Sequence, residues 1–297
     1  MSLELPKRPR RRLSRLALGG VAVTALLLLS GCKADPNSQI KRLAMPVPAT
    51  KEAPHTFDLW MWAWLAAMIT GVIVWGLIFY AAWHFRRRSD DDAPVQTRYN
   101  LPIEVFYTIA PIIMVVTFFF FTVKAQDAVF HQFKKPDRTI SVVGQQWSWT
   151  FNYNYNSGTR QSVGGPTVHE FGTPAHAPTL WLAKGEKTEI HLYSPDVIHS
   201  FWVPAFLFKL DVIPGRDNKF GITPTRLGHY DGRCAELCGL YHSKMLFNVK
   251  VVTKPQLQAH LAKLGKIPAD RGPALGSTLT TTQPGLENAG STTGGEQ

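Results

Sequence analysis

Between positions 234 and 245 the chain reads Cys-Ala-Glu-Leu-Cys-Gly-Leu-Tyr-His-Ser-Lys-Met, which sets Cys234, Cys238, His242 and Met245 in the pattern C-x3-C-x3-H-x2-M. Two thiols, an imidazole and a thioether this close together are soft donors of the kind that select copper. A second imidazole is available from His199, in Ser194-Pro195-Asp196-Val197-Ile198-His199. Two simpler chemistries compete. In an oxidising compartment Cys234 and Cys238 would form an ordinary disulfide, and two thiolates with two imidazoles would also satisfy a structural zinc site. Met245 weighs against zinc, because a thioether is a poor zinc ligand and a good one for copper. No Cys-x-x-Cys-His occurs in the sequence, so the signature of a covalently attached haem is missing.

The third cysteine has different surroundings. Lys7, Arg8, Arg10, Arg11, Arg12 and Arg15 precede an apolar run from Leu16 to Leu29, too short for a comfortable membrane span, that ends in Leu29-Ser30-Gly31-Cys32. That order predicts an export signal. Small residues directly before a cysteine resemble a bacterial lipobox, with residues 1–31 removed as a lipoprotein signal peptide and Cys32 lipidated; an ordinary signal peptide with an incidental cysteine is the alternative. Loss of residues 1–31 takes away six Lys/Arg and one acidic residue and lowers the formal charge from +11 to +6. Much of the basic character is therefore leader, and nucleic acid is not expected as a partner.

The elements that must carry the donors follow from the apolar pattern. Leu59 to Trp83 contains no Asp, Glu, Lys or Arg and is long enough to cross a hydrocarbon core of about 30 Å as a helix. Trp60, Trp62 and Trp64 near one end and Trp83 at the other suit interfacial belts. Leu101 to Val123 is a second span, interrupted by Pro102, Glu104 and Pro111. Arg86, Arg87 and Arg88 between the two place their loop in the cytoplasm. A transmembrane helical hairpin over residues 57–124 then leaves an N-terminal segment, 32–56, and everything after Lys124 outside a bacterial plasma membrane.

From Ile140 to about Val252 short apolar or alternating runs, at 140–143, 147–155, 179–182, 188–193, 219–222 and 247–252, predict strands separated by Gly, Pro and Asn clusters. The fold class expected is a membrane-anchored all-β protein, with a small antiparallel sandwich or barrel over residues 125–266. Residues 152–178 read as a long surface loop, and 267–297, rich in Gly, Thr, Pro and Ala, as a disordered tail.

This ordered set of segments resembles subunit II of the haem-copper cytochrome c oxidases. The resemblance is carried by Tyr107-Thr108-Ile109-Ala110-Pro111, Gly144-Gln145-Gln146-Trp147-Ser148-Trp149, Asp196-Val197-Ile198-His199-Ser200-Phe201, Asp211-Val212-Ile213-Pro214-Gly215-Arg216 and the Cys-Glu-Cys-His-Met loop. The lipobox together with Arg233-Cys234-Ala235-Glu236-Leu237-Cys238-Gly239 is similar to the actinobacterial branch. It implies a cupredoxin-like domain holding the dinuclear copper centre CuA. Cys234 and Cys238 would bridge both coppers, His199 and His242 would each cap one, and Met245 and the backbone carbonyl of Glu236 would be weak axial donors. The Glu236 side chain would reach a Mg²⁺ ion shared with subunit I.

Other positions carry over singly. Trp147 matches an exposed tryptophan through which electrons arrive from cytochrome c, whereas from the sequence alone it reads as a core or interface aromatic. Glu104 matches the mouth of the K proton pathway, although a carboxylate near a span end also simply snorkels to water. Asp211 and Arg216 match the interface near the Mg²⁺ and haem propionates, or form an ordinary surface ion pair. The function implied is acceptance of electrons from cytochrome c and their delivery to haem in subunit I, with subunits I and III as partners, O2 reduced to water there and protons pumped. The stretch Trp149 to Tyr155 is uncharged, so charge steering of a soluble cytochrome c looks weak. The actinobacterial likeness implies instead a dihaem cytochrome c of a bc1-type complex, held in a supercomplex. A lipoprotein that only binds or delivers copper, and a disulfide-bonded structural adapter, are the competing functions; neither gives the two spans or Glu104 an evident task.

Overall fold

The computed structural model describes residues 38–87, 96–163 and 165–265. The expected leader, Cys32, Arg88 and the expected tail from 267 lie outside the described residues. Residues 38–45 form a short run of turns, with the Ala44 N–H donating to the Gln39 carbonyl at 2.9 Å.

Two long helices follow, α1 (Ala53–His84) and α2 (Leu101–Val129). Both are long and apolar enough to cross a membrane, and their apolar windows are wholly unburied within the chain. Each extends beyond the expected span at the end nearest the β domain. The reason is physical: the apolar pattern marks where lipid ends, while the backbone remains helical through the polar residues His55 and Asp58 on α1 and Lys124 and Asp127 on α2. The start of α2 is capped reciprocally, the Asn100 side chain accepting from the Ile103 N–H (3.4 Å) and Glu104 accepting from the Asn100 N–H (2.9 Å). Pro102 sits in the first turn, where its missing N–H costs nothing, and the helix runs on through Pro111.

A strap ahead of α1 joins the helices to the β domain. Ala49 exchanges backbone hydrogen bonds with Ala205 and Thr225, Lys51 donates to the Thr223 carbonyl, and the buried Glu52 carboxylate accepts from the Thr223 N–H at 3.0 Å. At the other helix end, Gly221 donates to the His131 carbonyl, and a Cβ at Gly221 would lie only 2.7 Å from the Phe133 ring.

The domain is a sandwich of two five-stranded sheets. One sheet holds β1 (Arg138–Gln145), β2 (Ser148–Tyr153), β5 (Val168–Phe171), β7 (Thr188–Tyr193) and β10 (Asn218–Ile222), in the order β10-β7-β1-β2-β5. The other holds β6 (Thr179–Ala183), β8 (His199–Val203), β9 (Phe208–Val212), β11 (Gly228–Cys234) and β12 (Leu246–Val252), in the order β6-β12-β11-β8-β9. Most pairings are antiparallel, as expected, but β1 with β7 and β6 with β12 run parallel, the connections crossing between sheets. Trp147, Trp149, Phe151 and Tyr153 alternate along β2 and its approach, so they share one face and enter one core with Phe201, Phe220 and Phe247. Phe201 and Phe247 stack there at 4.8 Å.

The stretch 152–178 is more ordered than a surface loop. It contains a small hairpin of β3 (Tyr155–Asn156) and β4 (Gln161–Ser162), and then β5, which pairs with β2. Strands β8, β9 and β11 were not expected either. In β11 the run Gly-His-Tyr-Asp-Gly-Arg-Cys is too polar to betray a strand, and backbone pairing to both neighbours holds it. A terminal helix, α3 (Lys254–Leu264), is also unforeseen although its signals are present: Thr253 and Gln256 form a capping box around Pro255. Its His260 stacks on Trp181 at 4.0 Å and meets Glu170 at 2.8 Å, closing one end of the sandwich.

A candidate metal centre at the β11–β12 loop

The donor loop runs from the last residue of β11, Cys234, to Met245, immediately before β12. Antiparallel pairing of β11 and β12 brings its ends together, and the Cys234 N–H donates to the Met245 carbonyl at 3.0 Å. His199, distant in sequence, opens β8, which pairs with β11 so that Phe201 faces Cys234. The Ala235 N–H then donates to the Ser200 carbonyl at 3.0 Å. Register between β8 and β11 is therefore what delivers the second imidazole. Gly239 turns the loop at φ 119°, a conformation side chains rarely adopt, and a Cβ there would lie 3.0 Å from the Gln146 amide.

The donors converge. The Cys234 and Cys238 sulfurs are 3.8 Å apart, far from the bonded separation of about 2.05 Å, so these cysteines are free and the disulfide alternative fails. His199 Nδ1 lies 3.9 Å from the Cys234 sulfur, and His242 Nδ1 lies 3.6 Å from that of Cys238, one imidazole against each thiol. The Met245 sulfur is 3.7 Å from Cys238, and the Glu236 carbonyl oxygen is 3.2 Å from Cys234. Metal–thiolate bonds of about 2.3 Å and metal–imidazole bonds of about 2.0 Å bridge gaps of this size without rearrangement. His199, Cys234 and Cys238 form the one three-residue ligand cluster among the described residues, and all three are buried. Met245 is wholly buried, while His242 is half-buried at the rim.

Electrostatics without a metal favour cation capture. The Cys234 thiol is pulled well below the ordinary thiol range, chiefly by its hydrogen bond with Cys238, with burial opposing and His199 assisting. Cys238 is driven upward by the neighbouring Cys234 thiolate and by burial. Two adjacent buried sulfurs thus hold one proton between them, which a cation must displace. Burial works to lower the His199 pKa, but hydrogen bonds to Asp196 and Cys234 outweigh it and leave it raised.

Asp196 is the functional residue to which sequence reading gave no role. Its Oδ1 meets His199 Nε2 at 2.9 Å, and its Oδ2 accepts from the Gln146 N–H at 2.7 Å. Burial tends to raise the Asp196 pKa, but the contact with His199 and the N–H groups of Gln146 and Val197 hold it below the ordinary range. With Nε2 so engaged, Nδ1 is the nitrogen turned toward the sulfurs. A carboxylate three residues before a candidate ligand histidine was the available signal. Asp196→Asn is expected to keep the fold but weaken metal affinity by about 10–100-fold, measured by competition with a chelator of known affinity; unchanged affinity would show that the loop alone orients His199.

Trp147 departs from expectation. It is 2% exposed rather than exposed, because it belongs to the same alternating face as Trp149. Its ring N–H donates to the Cys238 carbonyl at 3.1 Å, an oxygen that Gln146 Nε2 also reaches at 2.7 Å. Tyr241 covers it edge-on at 5.2 Å. The solvent-facing groups over the loop are Leu237 and Leu240, 78% and 71% exposed. The Glu236 side chain is exposed, Asp211 and Arg216 line a cleft beside Phe130 at the end of α2, and Glu104 lies along most of α2, roughly 40 Å of helix, from the donor loop's side of the molecule.

A family model described as cytochrome C oxidase subunit II, periplasmic domain, matches residues 138–252, which span β1 to β12 and every donor. Probable cytochrome c oxidase subunit 2 of Streptomyces avermitilis is 44% identical over 292 residues, covering 88% of this chain and 89% of that protein. Cytochrome c oxidase subunit 2 of Mycobacterium tuberculosis is 34% identical over 302 residues, covering 85% and 82%. Among solved structures, the periplasmic domain of subunit II of cytochrome oxidase of Bradyrhizobium japonicum is 27% identical, covering 46% of this chain and all of that one, with a TM-score of 0.40.

Proposed function

Because the chain belongs to the cytochrome c oxidase subunit II family, we propose that it is the electron-accepting subunit of such an oxidase, taking single electrons from a c-type cytochrome and delivering them to haem in subunit I. There O2 is reduced to water and protons are pumped; subunit III completes the partners. The observation that carries this reading is the arrangement of six soft or weak donors, one imidazole against each of two free thiols 3.8 Å apart. Zinc in a closed tetrahedral site would have no use for a wholly buried thioether beside Cys238.

In this reading the Cys234 and Cys238 thiolates would be shared by two copper ions, His199 and His242 would each serve one of them, and Met245 and the Glu236 carbonyl would be the weaker donors. When bound, the pair supplies one-electron transfer with the charge shared between two metals. The chain's own part is rigidity. The loop is tied by the Cys234 to Met245 and Ala235 to Ser200 hydrogen bonds, by Trp149 Nε1 to the Met245 carbonyl (3.3 Å), and by two donors on the Cys238 carbonyl. Donors held by the fold barely move when the charge changes, which keeps reorganisation small. Trp147 joins the centre through its bond to Cys238, and Tyr241 above it makes the outward step of the path.

Further assignments are part of the same proposal. The exposed Glu236 carboxylate binds Mg²⁺ with ligands from subunit I. Glu104, which caps α2, also receives protons at the cytoplasmic mouth of the K pathway. The two helices form a hairpin in the plasma membrane with the β domain outside, Cys32 carries lipid, and the donor is a bc1-type dihaem cytochrome c in a supercomplex. A copper-delivery lipoprotein is disfavoured by membership of the oxidase family.

Electron paramagnetic resonance of the purified, copper-loaded protein tests the central reading. Two coppers per chain sharing one unpaired electron are expected; a mononuclear copper signal would point to a binding module. Met245→Leu, close to volume-conserving in its buried site, should keep the fold. It should raise the reduction potential by on the order of 60 mV, the one-electron equivalent of a tenfold change in the equilibrium. An unchanged potential would remove Met245 from the donor set.

A further inference from the structure

The side-chain donors at the β11–β12 loop differ in how they meet solvent. His199 and Met245 are wholly buried, and Cys234 and Cys238 are each 4% exposed. His242 alone stands at the rim, half-buried, in the short turn His242–Lys244. The two imidazoles differ as much in freedom. His199 is pinned, with Nε2 on Asp196 at 2.9 Å, its ring edge-on to Trp149 at 6.2 Å, and packing so close that a Cβ at Gly144 would lie 3.4 Å from it. His242 turns Nδ1 toward the Cys238 sulfur at 3.6 Å, and among the described residues no hydrogen-bond partner holds its Nε2.

The backbone beneath His242 is tied. Its N–H donates to the Gly239 carbonyl (3.1 Å), the Lys244 N–H donates to the Tyr241 carbonyl (2.9 Å), and the Met245 N–H donates to the His242 carbonyl (3.2 Å). The ring can therefore change rotamer while the loop stays in place. An incoming metal ion exchanges its ligands one at a time, so its first bond must go to a donor that it can touch while still held from the solvent side. A donor without exposed atoms meets that condition only after local opening of the sandwich, a free-energy cost that a rim residue does not impose. From the rim the other donors follow at short steps. Cys238 comes first, the Cys234 and Met245 sulfurs lie 3.8 Å and 3.7 Å from it, and His199 Nδ1 is 3.9 Å from Cys234.

Resting on the reading of this loop as a copper centre, we infer that His242 is the entry ligand through which the site is metallated, taking Cu(I) from a carrier at the rim and handing it to Cys238, while His199 receives it last. Cu(I) suits a path of imidazole, thiolate and thioether donors. No electron moves: the carrier's ligand leaves as His242 binds, and the proton shared by the two sulfurs passes to water as Cys238 binds.

Stopped-flow mixing of the metal-free, thiol-reduced full-length chain in detergent with Cu(I) in acetonitrile tests this, the rise of thiolate-to-copper absorption giving the initial rate. His242→Ala should lower that rate by about tenfold. Loss of an inner donor, by His199→Ala or by the volume-conserving Met245→Leu, should leave the initial rate unchanged, and His199→Ala should then lose copper more readily to a chelator. Free imidazole should restore the rate of His242→Ala, because the space left there opens on solvent, and should do nothing for His199→Ala, whose space is sealed. An unchanged rate in His242→Ala, or equal slowing by the inner-donor variants, in a protein that takes up two coppers would overturn the entry role. Uptake of fewer than two coppers by the unaltered protein would instead refute the two-copper reading, and the inference with it.

Discussion

Cys238→Ser is expected to abolish the two-metal centre while leaving the sandwich folded. Copper should fall from two per chain to one or none, the shared-electron signal should vanish, and electron delivery from a c-type cytochrome should drop to background. The size of the effect follows from the position of Cys238, whose sulfur is the hub of the site: Cys234, His242 and Met245 all lie within 3.8 Å of it. Structural zinc in zinc-finger peptides is worth about 10–16 kcal/mol in apparent binding free energy at neutral pH, so removing one of the two thiolates proposed to be shared by the coppers should cost more affinity than the remaining donors supply. The backbone has less at stake, since the loop is held through carbonyl and amide groups that serine keeps. A surviving two-copper signal would refute the bridging role.

Trp149→Ala should give the largest loss of stability. Trp149 is wholly buried between the sheets, with ring centroids of Phe247 at 5.2 Å, Phe201 at 5.9 Å and His199 at 6.2 Å. Truncating a core aromatic costs about 3–5 kcal/mol, a large part of the roughly 5–15 kcal/mol that keeps a domain folded. Denaturant unfolding of the metal-free protein measures it, and the transition midpoint should move sharply downward. Copper affinity should fall too, because the Trp149 N–H that holds the Met245 carbonyl is lost and a neighbour of the His199 ring is removed. A shift within about 0.5 kcal/mol, the range of surface substitutions, would mean that the core closes around the gap and that Trp149 is not the link between packing and site.

Legibility of the sequence differed from element to element. The two long apolar helices could be read because a charge-free run of this length has few other uses, and at the ends nearest the β domain the helices run on into polar residues that the apolar pattern does not mark. Strands β6, β7, β10 and β12 were read from apolar or alternating runs. Strand β11 escaped because Asp231, Gly232 and Arg233 obey no alternation, and partners on both sides rather than propensity make it a strand. The segment 152–178 looked like loop because its Gly and Pro residues hide the few that pair with β2. For Trp147 the residues alone read as a core or interface aromatic, which its burial matches. The resemblance supplied an exposed ring, whereas the alternation of Trp147, Trp149, Phe151 and Tyr153 turns it inward, and only the packing of Tyr241 decides that it is covered.

Sequence by itself determined the inventory of this protein: four of the five side-chain donors within twelve residues, two runs long and apolar enough to cross a membrane, and a basic loop between them. These are local properties, set by residue type and spacing along the chain. Tertiary structure decided what the inventory does. His199 reaches the loop only through the pairing of β8 with β11, Asp196 turns its ring, and the free thiols stand 3.8 Å apart because strand register and the Gly239 turn hold them there. The physical reason is common to all of these. Spacing in sequence determines which groups can be neighbours on one element, but distances between elements come from sheet pairing and core packing, which no single segment encodes.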